Sequence, residues 1–164
     1  MRWLLIDRLV TCDPGKCAVG LKAFTRSELF FMDHFPGRAL VPAALQLEMI
    51  AQTAGRCIKI ARPGVLTLLS RVNSARFSKP IVPGDQCYIT VQIINLRSNY
   101  AIASGIIEVA GKQVAEAEVM YALVARNQPD QPNQTDPVID EWARSQGEIS
   151  EQNFLETVRL STAE

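Results

Sequence analysis

The single histidine of this 164-residue chain, His34, stands fourteen positions ahead of Glu48, a carboxylate set in an otherwise apolar run. Imidazole ordinarily titrates near neutral pH, so a histidine can both take and release a proton there. A carboxyl among apolar neighbours favours its neutral acid form and can then act as a proton donor. Gln52 follows Glu48 by four residues, which puts both on one face of a helix. Between histidine and glutamate, Val41-Pro42-Ala43-Ala44 reads as a helix start, whose free backbone N–H groups can hold a developing oxyanion. A base, an acid and an oxyanion donor thus fall within fifteen residues, a grouping more informative than any member alone. Each member also has an ordinary reading. His34 sits in the loop Phe31-Met32-Asp33-His34-Phe35-Pro36-Gly37, where a histidine is commonly a surface residue. Glu48 could belong to a wetter stripe with Gln52 and Arg56.

The element that must position these groups is a helix from Pro42 to about Ile60, with proline in its first turn and Arg62-Pro63-Gly64 beyond its end. Ala43, Ala44, Leu45, Leu47, Met49, Ile50, Ala51, Ala54, Cys57 and Ile58 distribute around nearly its whole circumference, so it should be buried on most sides. Two short strands precede it, near 6–12 and 16–24, joined at Asp13-Pro14-Gly15. Four more follow, near 65–77, 86–97, 100–109 and 112–124. In the fourth of these, Ala115, Ala117, Val119, Tyr121 and Leu123 alternate with Glu116 and Glu118. The turns at Arg97-Ser98-Asn99 and Ala110-Gly111 predict consecutive antiparallel hairpins. The expected class is α+β, an antiparallel sheet wrapped around one long central helix. Such a sheet keeps an open edge that pairing with a second copy would cover.

Composition narrows the function. Lysine plus arginine equals aspartate plus glutamate at 17 each, so no basic excess points to nucleic acid and no polybasic cluster to an anionic membrane. The apolar start Trp3-Leu4-Leu5-Ile6 is shorter than a secretory core, and Glu48, Gln52, Arg56 and Lys59 interrupt the longest apolar segment. No membrane insertion and a cytoplasmic location are expected. The four cysteines at 12, 17, 57 and 87 show no metal-ligand spacing, and the lone His34 offers no partner to them, so no metal site is expected. Cys12 and Cys17 flank a turn, but cytosolic thiols stay reduced. The composition changes at Asn127, where Pro-, Gln- and Asn-rich sequence reads as a linker. After it, Asp136-Pro137 predicts an N-cap and first helical residue, with Val138, Ile139 and Trp142 on one face. A second amphipathic piece carries Phe154, Leu155, Val158 and Leu160. The expected organisation is a core domain over 1–125 and a linker with short helical extension over 126–164.

The string from His34-Phe35-Pro36-Gly37 through Val41-Pro42-Ala43-Ala44 to Glu48 and Gln52 closely resembles the signature of bacterial beta-hydroxyacyl-acyl-carrier-protein dehydratases, with the histidine-to-acid spacing matched without a gap. Asp7-Arg8, Pro14-Gly15-Lys16, Phe77-Ser78-Lys79-Pro80 with Pro83-Gly84-Asp85, and Val114-Ala115-Glu116-Ala117-Glu118 extend the resemblance. It implies a hotdog fold, assembled as a homodimer and in some members as a trimer of dimers. It implies a (3R)-hydroxyacyl substrate on the phosphopantetheine arm of acyl carrier protein, dehydrated to the trans-2-enoyl thioester in fatty acid or related lipid synthesis. By that resemblance His34 removes the alpha proton, Glu48 of the other subunit protonates the departing hydroxyl, and the Ala43 N–H polarises the thioester carbonyl. Gln52 orients Glu48 or its water, while Phe35, Pro36, Gly37 and Pro42 shape the substrate site. No cofactor of the protein's own is implied.

The chain departs from that pattern at Ala43, where the family carries glycine, and in the added segment after Asn127. Competing functions on the same fold are thioester hydrolysis, enoyl-CoA hydration, or acyl-thioester binding without turnover. Hydrolysis needs no histidine at this spacing, which argues against it.

Overall fold

The computed structural model describes residues 4–125 and 136–145. The linker from Asn127 and the piece around Phe154 to Leu160 lie outside the described residues. Strands β1 (Arg8–Asp13) and β2 (Cys17–Ala23) come first, then a 3-10 turn at Leu29–Phe31 and helix α1 (Ala43–Ala61). Strands β3 (Val65–Phe77), β4 (Gln86–Leu96), β5 (Tyr100–Val109) and β6 (Lys112–Ala125) follow, and α2 (Pro137–Ser145) ends the described chain. The six strands form one sheet in the order β1-β2-β4-β5-β6-β3, antiparallel at every pairing.

The period-two pattern places one face of this sheet against the helix. Cys87, Ile89 and Val91 of β4, Ala101, Ala103 and Ile107 of β5, and Val119 of β6 have no exposed surface. They meet Met49, Ile50, Ala54, Cys57 and Ile58 of α1, equally buried. Irregular registers at Leu9/Thr11, Ile93/Asn95, Leu69/Arg71 and Val72/Ser74 add local twist, which curls a sheet. Close approach is possible because Gly105 has no side chain: a Cβ there would stand 2.5 Å from Ile50 Cγ2.

The helix is less uniformly buried than its composition suggests. Ala43 and Ala44 are exposed and Leu45, Leu47 and Glu48 only half-buried, whereas Thr53 through Ile58 are buried. Exposure is confined to the first two residues, and Gln46 and Met49 are already buried. Strand β3 forms one edge of the sheet, and Leu66, Leu68, Leu69, Val72 and Phe77 along it are 38–46% exposed.

Cys12, Cys17, Cys57 and Cys87 are free thiols. In the β1–β2 register Cys12 faces Ala18 while Cys17 faces Asp13, so the two cysteines at the turn are offset rather than opposed. Helix α2 packs on β1 of its own chain. The Asp136 carboxylate accepts a hydrogen bond from the Val138 N–H at 3.1 Å, capping the helix. No helix among the described residues is long and apolar enough to cross a membrane.

Candidate active site

His34 is held by its backbone and by its ring. Its N–H donates to the Phe30 carbonyl at 3.0 Å, and its own carbonyl accepts from the Leu40 N–H at 2.9 Å. The ring Nδ1 lies 3.1 Å from the Leu40 carbonyl oxygen. A carbonyl can only accept, so Nδ1 carries the hydrogen and Nε2 of the neutral ring keeps its lone pair. The ring stacks on Phe35, centroids 4.0 Å apart.

The loop that carries it is folded for local reasons. Phe35 and Arg38 exchange two backbone hydrogen bonds of 2.8 and 2.9 Å around Pro36-Gly37. Proline fixes the first corner residue, and Gly37 supplies the φ of +79° that the second requires. The His34–Phe35 peptide is cis. Upstream, Phe24, Phe30 and Phe31 pack edge-on or tilted at 4.5 to 6.3 Å, which seats the loop against the core. Downstream, the Val41 N–H donates to the Ile81 carbonyl at 2.9 Å, tying the approach to α1 to the loop before β4.

Pro42 is the N-cap of α1, and its carbonyl accepts the first helical bonds from the Leu45 and Gln46 N–H groups. Ala43 and Ala44 precede those bonds, so their N–H groups are the ones a helix start leaves without an intrahelical acceptor. Ala43 is exposed, as an oxyanion donor must be before substrate arrives. Phe35, 53% exposed, lines with Gly37, Arg26, Arg38 and Val82 a cleft of about 340 Å³ beside the His34 loop. Pro36 is exposed at the turn's corner.

Glu48 and Gln52 line a different cleft, of about 250 Å³, between α1 and strands β3 and β6. Gln52 Nε2 donates to Glu48 Oε1 at 3.0 Å. Gln52 Oε1 accepts from the Leu5 N–H at 3.1 Å and from Arg56 Nη1 at 3.3 Å. Two donors on Oε1 fix the amide so that its NH₂ faces Glu48. The Arg56 guanidinium pairs with Asp136, with Nε 3.1 Å from Oδ2. The Tyr121 hydroxyl donates to the Ala51 carbonyl at 2.9 Å. Burial, and after it the charge of Glu48, push the Tyr121 pKa up. Tyr121 therefore stays a neutral wall of the cleft.

Within one chain the residues expected to act together fall into two groups. His34, Phe35 and Gly37 stand at the loop before α1, with Ala43 at the exposed helix start. Glu48 and Gln52 face a cleft from which His34 is absent. Arg56, Asp136 and Tyr121 were not singled out for this cleft by sequence. The spacing 48, 52, 56 placed Arg56 on the right helical face, but Asp136 comes from eighty residues further along and Tyr121 from an inward strand position read as core.

A family model described as ApeI-like dehydratase matches residues 12–116. The 3-hydroxyacyl-acyl-carrier-protein dehydratase FabZ of Bartonella quintana is 42% identical over 126 residues, covering 74% of this chain and 81% of that one. The dehydratase heterocomplex ApeI:P from Xenorhabdus doucetiae superimposes with TM-score 0.56 at 13% identity, over 70% of this chain and 96% of that one. A hot-dog-like protein from Thermanaerovibrio acidaminovorans gives 0.58 at 19% identity, over 70% and 84%. The two structural likenesses concern the fold.

Proposed function

The chain belongs to the hotdog-fold 3-hydroxyacyl-acyl-carrier-protein dehydratases and is a hydro-lyase, and on that premise we propose that it converts (3R)-hydroxyacyl thioesters into trans-2-enoyl thioesters with His34 as base and Glu48 of a second copy as acid. The observation that carries this reading is the His34 ring, whose Nδ1–H is spent on the Leu40 carbonyl and whose Nε2 is left free to take a proton.

His34 Nε2 takes the proton from C2 of the acyl chain, and the electron pair moves toward the thioester carbonyl oxygen. The Ala43 N–H, at the positive end of α1, stabilises that oxygen. The C3–O bond then breaks, and because hydroxide is a poor leaving group Glu48 supplies the proton with which it departs as water. His34 has gained one proton and Glu48 has lost one, so a single transfer between them resets the site. Gln52 holds one carboxyl oxygen through its NH₂, leaving the other for the hydroxyl. The added methyl of Ala43 keeps the backbone donor of the family's glycine. Acid, base and oxyanion donor all come from the chain, so the scheme calls for no metal or organic cofactor.

The second copy enters because His34 and Glu48 face different clefts within one chain. Strand β3 offers the means: it is a long sheet edge bearing five exposed apolar side chains, the kind of edge that pairs with its own copy. The cleft beside Phe35, rimmed by exposed Arg26 and Arg38, suits the phosphodiester of an acyl-carrier-protein phosphopantetheine arm. A cytoplasmic setting fits a substrate of this kind.

The test is turnover of a 3-hydroxyacyl chain on acyl carrier protein, followed by the absorbance of the conjugated enoyl thioester. The parent protein should turn over, and a folded His34→Ala variant should fall by at least about a hundredfold, the scale of general acid–base catalysis. Full activity in that variant would overturn the assignment.

A further inference from the structure

We infer that Arg56 and Asp136 are positioning residues for the dehydration: the capped end of α2 clamps the Arg56 guanidinium, which in turn holds the Gln52 amide toward Glu48. This rests on the reading of Glu48 as the acid and adds to it a role for the C-terminal helix.

The residues form one chain of contacts. Asp136 Oδ1 accepts a hydrogen bond from Arg56 Nε at 3.3 Å, and Oδ2 completes the ion pair 3.1 Å from the same nitrogen. Arg56 Nη1 donates to the Gln52 carbonyl at 3.2 Å and to Gln52 Oε1 at 3.3 Å. Gln52 Nε2 donates to Glu48 Oε1. Glu48, Gln52 and Arg56 are successive i, i+4 positions on α1, and Asp136 closes the row from outside the helix.

Arg56 matters because of where it would otherwise go. Its side chain is only 8% exposed, and it lines the same cleft as Glu48. A buried guanidinium without a counter-ion seeks the nearest carboxylate. Paired with Arg56, Glu48 would be held ionised, able to accept hydrogen bonds but with no proton for a departing hydroxyl. Asp136 satisfies the guanidinium instead, and the Arg56 fork then has a second arm free to hold Gln52. The hydrogen-bond geometry thus leaves the Gln52 amide between the cation and the acid.

Asp136→Asn isolates this role. Asparagine is as good an N-cap as aspartate, so α2 keeps its start while the charge facing Arg56 is lost. The expected result is a kcat lowered about tenfold, within the coupling range of contacting polar groups, with KM and Tm close to those of the parent. In an Arg56→Met background the same substitution should have no further effect on kcat, because the cation it releases is gone. Asp136→Glu should recover most of the activity. Val138→Ala, which loosens α2 but keeps both charges of the ion pair, should lower Tm and lower kcat by much less than Asp136→Asn does.

A parental kcat in Asp136→Asn, or a loss that persists in the Arg56→Met background, overturns the clamp. So does a kcat loss in Val138→Ala as large as that in Asp136→Asn. Should Asp136→Asn fail to fold, Arg56→Lys provides the same reading: lysine keeps the charge opposite Asp136 but lacks the fork that reaches Gln52, and an unchanged kcat overturns the proposal. If Glu48→Gln retains parental activity, the acid assignment itself fails. If Glu48→Gln is inactive and Asp136→Asn is not impaired, only the clamp fails.

Discussion

At the residue scale, the decisive feature is which atom of each polar group each partner takes. His34 directs Nδ1–H to the Leu40 carbonyl, and Gln52, with Oε1 on Leu5 and Arg56, directs its NH₂ to Glu48. The proposed oxyanion donor is a backbone N–H, and it can be removed without removing the helix. Ala43→Pro deletes the donor at a first helical position where proline is tolerated. Pro42 already has φ −54° and ψ 138°, a conformation compatible with a following proline. Activity should fall on the order of a hundredfold, the usual cost of one oxyanion donor, with the far-ultraviolet spectrum unchanged. Ala43→Gly keeps the N–H and should keep the rate. A parental rate in the proline variant would remove the helix start from the mechanism.

At the element scale, the position of α1 against the sheet sets where Glu48 and Gln52 face. That position depends on an approach too close for a side chain on β5. An alanine at Gly105 would bring its Cβ to 2.5 Å from Ile50 Cγ2 and 3.1 Å from Val91 Cγ1, both on fully buried residues. Neither can swing away, since each methyl sits on a branched carbon within the core. Gly105→Ala should therefore cost roughly 1–3 kcal/mol, the range for overpacking, read as a lower urea midpoint with an unchanged m-value. Because Ile50 lies two residues from both Glu48 and Gln52, the variant that does fold should also lose turnover. Undiminished stability would mean that the helix can lift from the sheet at little cost.

At the scale of the whole molecule, a site shared between copies makes a prediction that no single-chain site makes. Mixing His34→Ala with Glu48→Gln chains gives some dimers with one doubly altered site and one intact site. Each homodimer is inactive, but random reassortment should restore about a quarter of the parental activity, as the symmetry of a twofold dimer requires. No recovery after demonstrated subunit exchange would place base and acid on the same chain. A charge on the exposed edge, such as Leu68→Lys, should yield monomers by light scattering and abolish turnover together.

The fold was legible because its signals are periodic and local. The alternation in β4 and β6 announced which residues face inward, Pro42 and Pro63-Gly64 bracketed α1, and Asp136-Pro137 marked the start of α2. The hairpins followed from their turns. The candidate site was proposed from a string of residue types with family spacing, His34 to Glu48 to Gln52, and one chain by itself brings only Glu48 and Gln52 together. Tertiary structure alone decided the rest. It showed that Ala43 and Ala44 are exposed and Leu45 and Leu47 only half-buried, although the start of α1 is as apolar as the remainder. It fixed the tautomer of His34 and the orientation of Gln52, which depend on single acceptors and donors brought close by the folded chain. It also joined Asp136 to Arg56 across eighty residues. Periodicity reports which face of an element is buried, because burial repeats along the chain. The partner a polar atom meets there is set by distance in space, and no repeat in the sequence carries that.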